Sequence, residues 1–290
     1  LKAEQSNQNQ QSGTLYVVPT PIGNLDDITL RALNVLKSVD LIGAEDTRHT
    51  KKLLTHFNIQ SPLTSYHEHS KESKTDHIIE QLKSGIKVAI VSDAGMPGIS
   101  DPGQFLIQKA IAEEINVVVL PGANAALCAL VGSGLSTDKF YFYGFLPRKN
   151  KERKEAWEEL NRQEGTILLY ESPYRVKDTL KDIKKNLGNR QIALGRELTK
   201  RFEEYIRGSV TDALKWAEKG VVKGEFCIVI EGSSAPIQTE QEWWQGLSLT
   251  EHVDHYIKEE NWTAKDAIKK TALDRDESRR SIYQAYHKQD

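Results

Sequence analysis

Short apolar runs alternate with amphipathic stretches along most of this chain. Residues 14–18 are apolar and run into Pro19-Thr20-Pro21-Ile22-Gly23-Asn24, a pattern that predicts a buried strand entering a tight loop. Leu30, Leu33 and Leu36 then keep a helical period over 29–38. The same reading predicts strands at 40–44, 88–92 and 117–120. It predicts helices at 47–57 (basic), at 70–84 (polar, with Ile78, Ile79 and Leu82 inward) and at 105–113. Strands alternating with helices imply a mostly parallel sheet covered by helices.

A second set follows. Helices are expected at 123–130, 152–163, 174–187 and 211–219, and strands at 140–143, 166–170, 191–194, 202–207 and 225–230. Gly232-Ser233-Ser234-Ala235-Pro236 reads as a linker, after which apolar strands stop. Helices at 250–259, 263–272 and 277–286, with Thr263 and Asp276 as N-caps, give the end of the chain a helix-turn-helix character. The expected organisation is a disordered tail at 1–12, α/β domains at 13–122 and 123–232, a linker at 233–248 and a helical tail at 249–290.

Composition narrows the class. The 290 residues suffice for about two domains, and 38% apolar with 28% charged residues describes a soluble globular protein. No run approaches the ~18 apolar residues of a membrane span. A net charge of −2 excludes a uniformly basic protein but not a basic patch. Two cysteines, Cys128 and Cys227, exclude a disulfide scaffold and a cysteine-based zinc site. The first twelve residues are polar without a secretory h-region, so the expected compartment is the cytoplasm.

The chemistry concentrates at strand ends, where α/β sheets bind ligands. Ser92-Asp93-Ala94-Gly95-Met96-Pro97-Gly98-Ile99-Ser100-Asp101-Pro102-Gly103 places three glycines and two prolines between a strand and a helix. This composition suits close backbone approach to a ligand, although a long strand-to-helix turn would look the same. It matches neither a dinucleotide fingerprint nor a P-loop. The loops at 19–24 and 121–126 have the same placement, and three such loops beside a domain boundary suggest one interdomain pocket. Glu45-Asp46-Thr47-Arg48 is either a hydroxyl- or phosphate-orienting pair or a plain helix start. Arg148, Lys149, Lys151, Arg153 and Lys154 form either a phosphate-contact patch or a solvated helix start. Tyr170-Glu171-Ser172-Pro173-Tyr174-Arg175 and Arg196-Glu197-Leu198-Thr199-Lys200 follow strands on the same rim.

Together with Gly144-Phe145-Leu146-Pro147, these segments resemble the bacterial 16S rRNA (cytidine-2′-O)-ribose methyltransferases (the small-subunit methyltransferase I family) of the tetrapyrrole methylase superfamily. The likeness runs from about residue 13 to the C-terminus. One departure is Met96, where the family's Ala-Gly-Thr-Pro run has Thr. If that hydroxyl touches the cofactor, methionine forgoes one hydrogen bond worth about 0.5–1.5 kcal/mol. The resemblance implies a homodimer with bent S-adenosylmethionine in a cleft between two α/β domains. Pro19, Thr20, Pro21, Asp93, Ala94, Gly95, Met96, Ser100, Ala123, Asn124, Ala125, Tyr170 and Phe226 would hold the cofactor.

The implied reaction is direct transfer of a methyl group to a cytidine 2′-hydroxyl of 16S rRNA in the small ribosomal subunit, without a metal. The protein must align that hydroxyl and favour its alkoxide. Asp46, Arg48, Lys149, Glu171 and Lys200 are the catalytic candidates. Arg148, Lys151, Arg153, Lys154 and Arg175, with Arg279 and Arg280 near the start of the last helix, are the RNA-contact candidates. Residues 261–290 carry seven Lys/Arg against five Asp/Glu. Two other functions compete: a small-molecule methylase acting on a tetrapyrrole, and a non-enzymatic nucleic-acid-binding regulator built on the helical tail.

Overall fold

The computed structural model describes residues 13–67, 72–220, 222–233, 244, 246–260, 262–275 and 277–287. The expected 1–12 tail, the start of the helix from Ser70, most of the 233–248 linker and the Asp276 N-cap lie outside them. The chain divides into two compact units, Leu1–Ser234 and Ala235–Asp290. Among the described residues, no helix is long and apolar enough to cross a membrane.

The first unit holds two five-stranded sheets. Sheet one contains β1 (Thr14–Val17), β2 (Leu41–Ala44), β3 (Leu63–Ser65), β4 (Val88–Val91) and β5 (Asn116–Val119) in the order β3-β2-β4-β1-β5. All its pairings are parallel. Side-chain alternation sends Leu15, Val17, Val88 and Ile90 to one face, where α3 (Glu72–Lys83) and α4 (Gln104–Ala112) pack with Ile78, Ile79, Leu82 and Leu106. Val18, Ala89 and Val91 go to the other face, against Ala32 and Leu36 of α1 (Leu30–Ser38) and Leu54 of α2 (Thr47–His56). Burial on both faces explains why these strands read as continuous apolar runs.

Sheet two is mixed. It contains β6 (Phe140–Phe145), β7 (Thr166–Glu171), β8 (Gln191–Arg196), β9 (Glu204–Ser209) and β10 (Phe226–Ile230) in the order β6-β7-β10-β8-β9. Only β6–β7 is parallel; β10 runs antiparallel to β7 and β8, and β8 to β9. Phe226, Ile228 and Ile230 face α6 (Asn150–Asn161), α7 (Val176–Asn186) and α8 (Val210–Lys219). Cys227 and Val229 face Ala126, Ala129 and Leu130 of α5 (Ala125–Ser133). Thus α5 follows β5 in sequence but covers sheet two.

The second unit packs α9 (Leu249–Lys258), α10 (Ala264–Asp274) and α11 (Arg279–His287) around Val253, Ala267, Ile268, Ala272 and Ile282. Thr263 caps α10, as expected, its side chain accepting from Asp266 N. His252 is fully buried under stacked Trp244, and its Nδ1 accepts from Arg275 Nε at 3.1 Å. Burial, reinforced by the Arg275 charge, pushes the imidazole down to about 4, so it is neutral near pH 7.

Two sequence expectations need correction. The strand expected at 202–207 lies at Glu204–Ser209, and β3 is a strand that the sequence pattern does not predict. Leu-Thr-Ser is too short and polar to register as a strand. It becomes one by pairing with Ile42, Gly43 and Ala44 of β2.

The central strand of sheet two gives a stability test. Ile228 is fully buried, so Ile228→Ala is expected to lower unfolding stability by about 2–5 kcal/mol. The denaturant midpoint should fall with the slope unchanged.

Candidate active site

A cavity of about 450 Å³ opens in the first unit, within the roughly 300–1,000 Å³ usual for small-molecule sites. Its lining gathers at the C-terminal ends of β4 through β8, with Ile22 beyond β1, and at the N-terminal start of the antiparallel β10. The loop after β4 supplies Ala94, Gly95, Met96, Ile99, Ser100 and Asp101; the start of α5 supplies Asn124 and Ala125. Sheet two adds Phe145, Tyr170, Glu171, Ser172, Pro173, Gly195, Leu198, Glu225, Phe226 and Cys227, and Ile22 completes the wall.

Two loops are locked together behind this wall. Thr20 N donates to Gly95 O at 2.9 Å, and Gly95 N donates to Thr20 O at 3.0 Å. Thr20 Oγ1 also donates to Ser92 O. Gly95 needs its φ of +83°, and a Cβ there would sit 3.3 Å from Ile22. Thr20 is therefore buried structure, with its hydroxyl already engaged. Pro19 packs on Gly122, and the Ala123 carbonyl lies behind Gly95. Of the thirteen cofactor candidates, Ala94, Gly95, Met96, Ser100, Asn124, Ala125, Tyr170 and Phe226 line the cavity. Pro19, Thr20, Pro21, Asp93 and Ala123 do not. Thr20, Pro21 and Asp93 instead line a second cavity of about 270 Å³, with Leu25, Ser92 and His49, Thr50, Lys52, Leu53 and His56 of α2.

On its sheet-two side the wall carries aromatic rings, with the carboxylates of Glu171 and Glu225 held by Arg175 and Lys200. Tyr170 packs edge-on against Phe142 at 5.0 Å and lies 5.6 Å from Phe145. Its hydroxyl accepts from Ala126 N, tying sheet two to the start of α5, where Asn124 caps the helix by accepting from Leu127 N. Burial pushes the Tyr170 phenol upward and the Cys227 thiol up to about 12, so both stay protonated near pH 7.

The catalytic candidates scatter. Asp46 and Arg48 form a bidentate pair at the start of α2 and line neither cavity. Lys149 is exposed and paired with Glu152, also outside both cavities. Glu171 reaches the larger cavity, but its carboxylate is buried and accepts from Ser172 N and Thr179 Oγ1, with Arg175 at 3.6 Å. It holds the β7–α7 turn and is not a free base.

Lys200 borders the larger cavity through Glu225. Its stem lies where a Cβ on Gly23 would intrude, and its Nζ pairs with Glu197 at 3.0 Å and with the lining residue Glu225 at 2.9 Å. Burial opposes its charge, but these hydrogen bonds raise its pKa above the usual lysine value. Glu197 and Thr199 of this turn adopt φ of +49° and +66°, strain of order 1–3 kcal/mol each that the clasp must hold. Burial alone would raise the Glu197 pKa; the Glu225 N–H and the Lys200 ammonium outweigh it and hold the carboxyl below its ordinary value.

Two expected RNA contacts are also committed inside the fold. Arg153 binds Asp182 and Thr179, and Arg175 donates to Leu146 O. Arg148, Lys151, Lys154, Arg279 and Arg280 are exposed. Sequence reasoning missed Gly195 and Cys227 as cavity residues, whereas Leu198 belongs to the expected rim and Glu225 to the loop at 224–226 that the resemblance implies beside the cofactor. Register supplies the missing signal: Tyr170, Cys227 and Gly195 form one row across β7, β10 and β8.

Comparison with known proteins places this geometry among relatives. A family model described as Tetrapyrrole (Corrin/Porphyrin) Methylases matches residues 14–214. A protein of Halalkalibacterium halodurans named Ribosomal RNA small subunit methyltransferase I is 50% identical over 100% of both chains. One of that name from Bacillus subtilis is 51% identical over 97% of this chain and 96% of its own. A crystal structure of uroporphyrin-III C-methyl transferase from Thermus thermophilus, complexed with S-adenyl homocysteine, superposes with a TM-score of 0.53. That structure is 16% identical and covers 75% of this chain and 97% of its own, a likeness of fold.

The clasp makes a pH prediction. A depressed carboxyl contributes stability that is complete above its unfolded value and lost as pH falls through the folded one. Wild type should therefore lose stability relative to Glu197→Gln as pH drops below about 4.3. Thermal unfolding from pH 6 to 3 should show the two curves converging; parallel curves would remove Glu197 from the acid response.

Proposed function

Because this chain belongs to the tetrapyrrole methylase family, and within it to the ribosomal RNA small subunit methyltransferase I group, we propose that it uses S-adenosylmethionine to methylate a cytidine ribose 2′-oxygen of 16S rRNA. The observation that supports this reading is the larger cavity, which eight of the thirteen residues implied for the cofactor line. Its size, apolar lining and few polar groups suit a nucleoside joined to an amino acid. Gly95 gives a backbone cradle, Met96, Tyr170 and Phe145 give apolar surface, and Asn124 with Ala125 presents a helix start suited to a carboxylate. The bound cofactor supplies an activated methyl group.

The protein's own residues then orient the acceptor and handle charge. Lys200, held as an ammonium beside Glu225 at the cavity wall, is the cation that favours the ribose alkoxide. Asp46, Lys149 and Glu171 do not act as bases in this reading. Arg148, Lys151 and Lys154 meet phosphates, and Arg279 and Arg280 of the helical tail contact RNA as well. The halves 13–122 and 123–232 act as lobes around the cofactor, and the protein works in the cytoplasm with its ribosomal substrate. Near full-length identity to relatives named for ribosomal RNA favours this over a tetrapyrrole substrate. A regulator without catalysis would leave the cavity unused.

Labelled S-adenosylmethionine incubated with undermodified small subunits, free rRNA or a porphyrinogen should label RNA alone, at a cytidine 2′-oxygen. Label in the porphyrinogen or at a base overturns the reading. Gly95→Val should abolish cofactor binding in calorimetry while the variant remains folded; unchanged affinity would exclude that loop.

A homodimer is part of the proposal. Leu127 and Val131 lie one turn apart on α5 and are 48% and 75% exposed, apolar surface suited to a second copy. Val131→Asp should halve the mass seen by light scattering, whereas an unchanged mass would exclude this face.

A further inference from the structure

Helix α2 contains Arg48, Lys51, Lys52, His49 and His56 and no acidic residue. Among the described residues, Arg48 pairs with Asp46, while Lys51 and Lys52 have no ion-pair partner. His49, Lys52 and His56, spaced i, i+3 and i+7, line the 270 Å³ cavity from one helix face. Leu25 and Leu53 give it apolar surface, and Thr20, Pro21, Ser92 and Asp93 close the opposite side. Asp93 Oδ1 accepts from Asp46 N at 3.0 Å, which leaves the carboxylate further acceptor capacity. The Thr20–Gly95 bridge separates this cavity from the larger one: Thr20, Ser92 and Asp93 line one, Ala94 and Gly95 the other.

We infer that the smaller cavity receives the nucleotide flanking the methylated ribose; this rests on the RNA reading above. Its phosphodiester meets Lys52 and the two histidines, and its base lies over Leu25 and Leu53 with Asp93 accepting from an amino or hydroxyl group. Three features favour a nucleotide: a cation-capable rim, an apolar floor and a single carboxylate. A free inorganic anion would gain nothing from the floor and would be repelled by Asp93. A cavity of this size beside the cofactor site takes one nucleotide, so the acceptor strand is held in register at the neighbouring residue and not only at its target.

The test uses the full-length protein, S-adenosylmethionine and undermodified small subunits. Lys52→Ala removes the cavity's lysine, Leu25→Trp fills the cavity without changing charge, and Lys51→Ala removes a neighbouring lysine outside it. Lys52→Ala and Leu25→Trp should each raise KM for subunits about tenfold, with kcat and calorimetric cofactor affinity near wild type. Lys52→Ala should also flatten the logarithmic salt dependence by about 0.7, as expected when one single-stranded phosphate is no longer neutralised. Lys51→Ala should leave KM near wild type. Any other pattern overturns the inference, including equal effects of the two lysines, which would indicate diffuse electrostatics. Wild-type methylation in the same assay separates this outcome from failure of the RNA reading.

Discussion

The two backbone hydrogen bonds between Thr20 and Gly95 are the constraint on which the rest of the site depends. They join the loops leaving β1 and β4, strands that are neighbours in sheet one. A loop that ends a parallel strand normally satisfies its polar backbone with water or a helix start. Here each loop satisfies the other, and the Thr20 hydroxyl on Ser92 O seals the junction. The paired segment is a partition: Gly95 faces the large aromatic cavity, and Thr20 faces the small one beside α2. The two cavities share a border because a single pair of hydrogen-bonded segments lies between them.

Sheet two contributes walls and anchors. The Tyr170 hydroxyl ties it to the start of α5, and the Lys200 stem over Gly23 ties it to the first loop. Both ties use long side chains from sheet two against the backbone of the first loop and of α5. The strained turn at 197–200 persists because Glu197 is satisfied by Glu225 N and Lys200 at once.

Sheet one is legible in the chain because parallel strands buried on both faces write themselves as apolar runs. Four of its five strands can be read this way, and β3 cannot, since its identity comes from its partner. The glycine loop and the start of α5 are equally legible as cavity walls. The direction of strands in sheet two is not, because an apolar run is the same read either way. That ambiguity hides the row Tyr170, Cys227 and Gly195, which exists only once register is known. The basic run at 148–154 misleads at Arg153, whose charge is spent on Asp182 across a helix pair. Asp46 misleads for a related reason: sequence places an acid beside an arginine but does not say that they already satisfy each other.

Strand order also governs how this chain can come together in time. β1 sits between β4 and β5, so the first strand made waits until residues 116–119 exist to be paired on both edges. β10 sits between β7 and β8, so sheet two is held open until residues 226–230 arrive. Each sheet is thus closed by a segment distant in sequence, which raises the loop entropy that folding must overcome before those contacts form. A chain stopped short of residue 226 would present the adjacent edges of β7 and β8 unpaired and apolar, a surface prone to association. The architecture that seats the cavity between two sheets therefore makes nascent chains of this protein dependent on completing both.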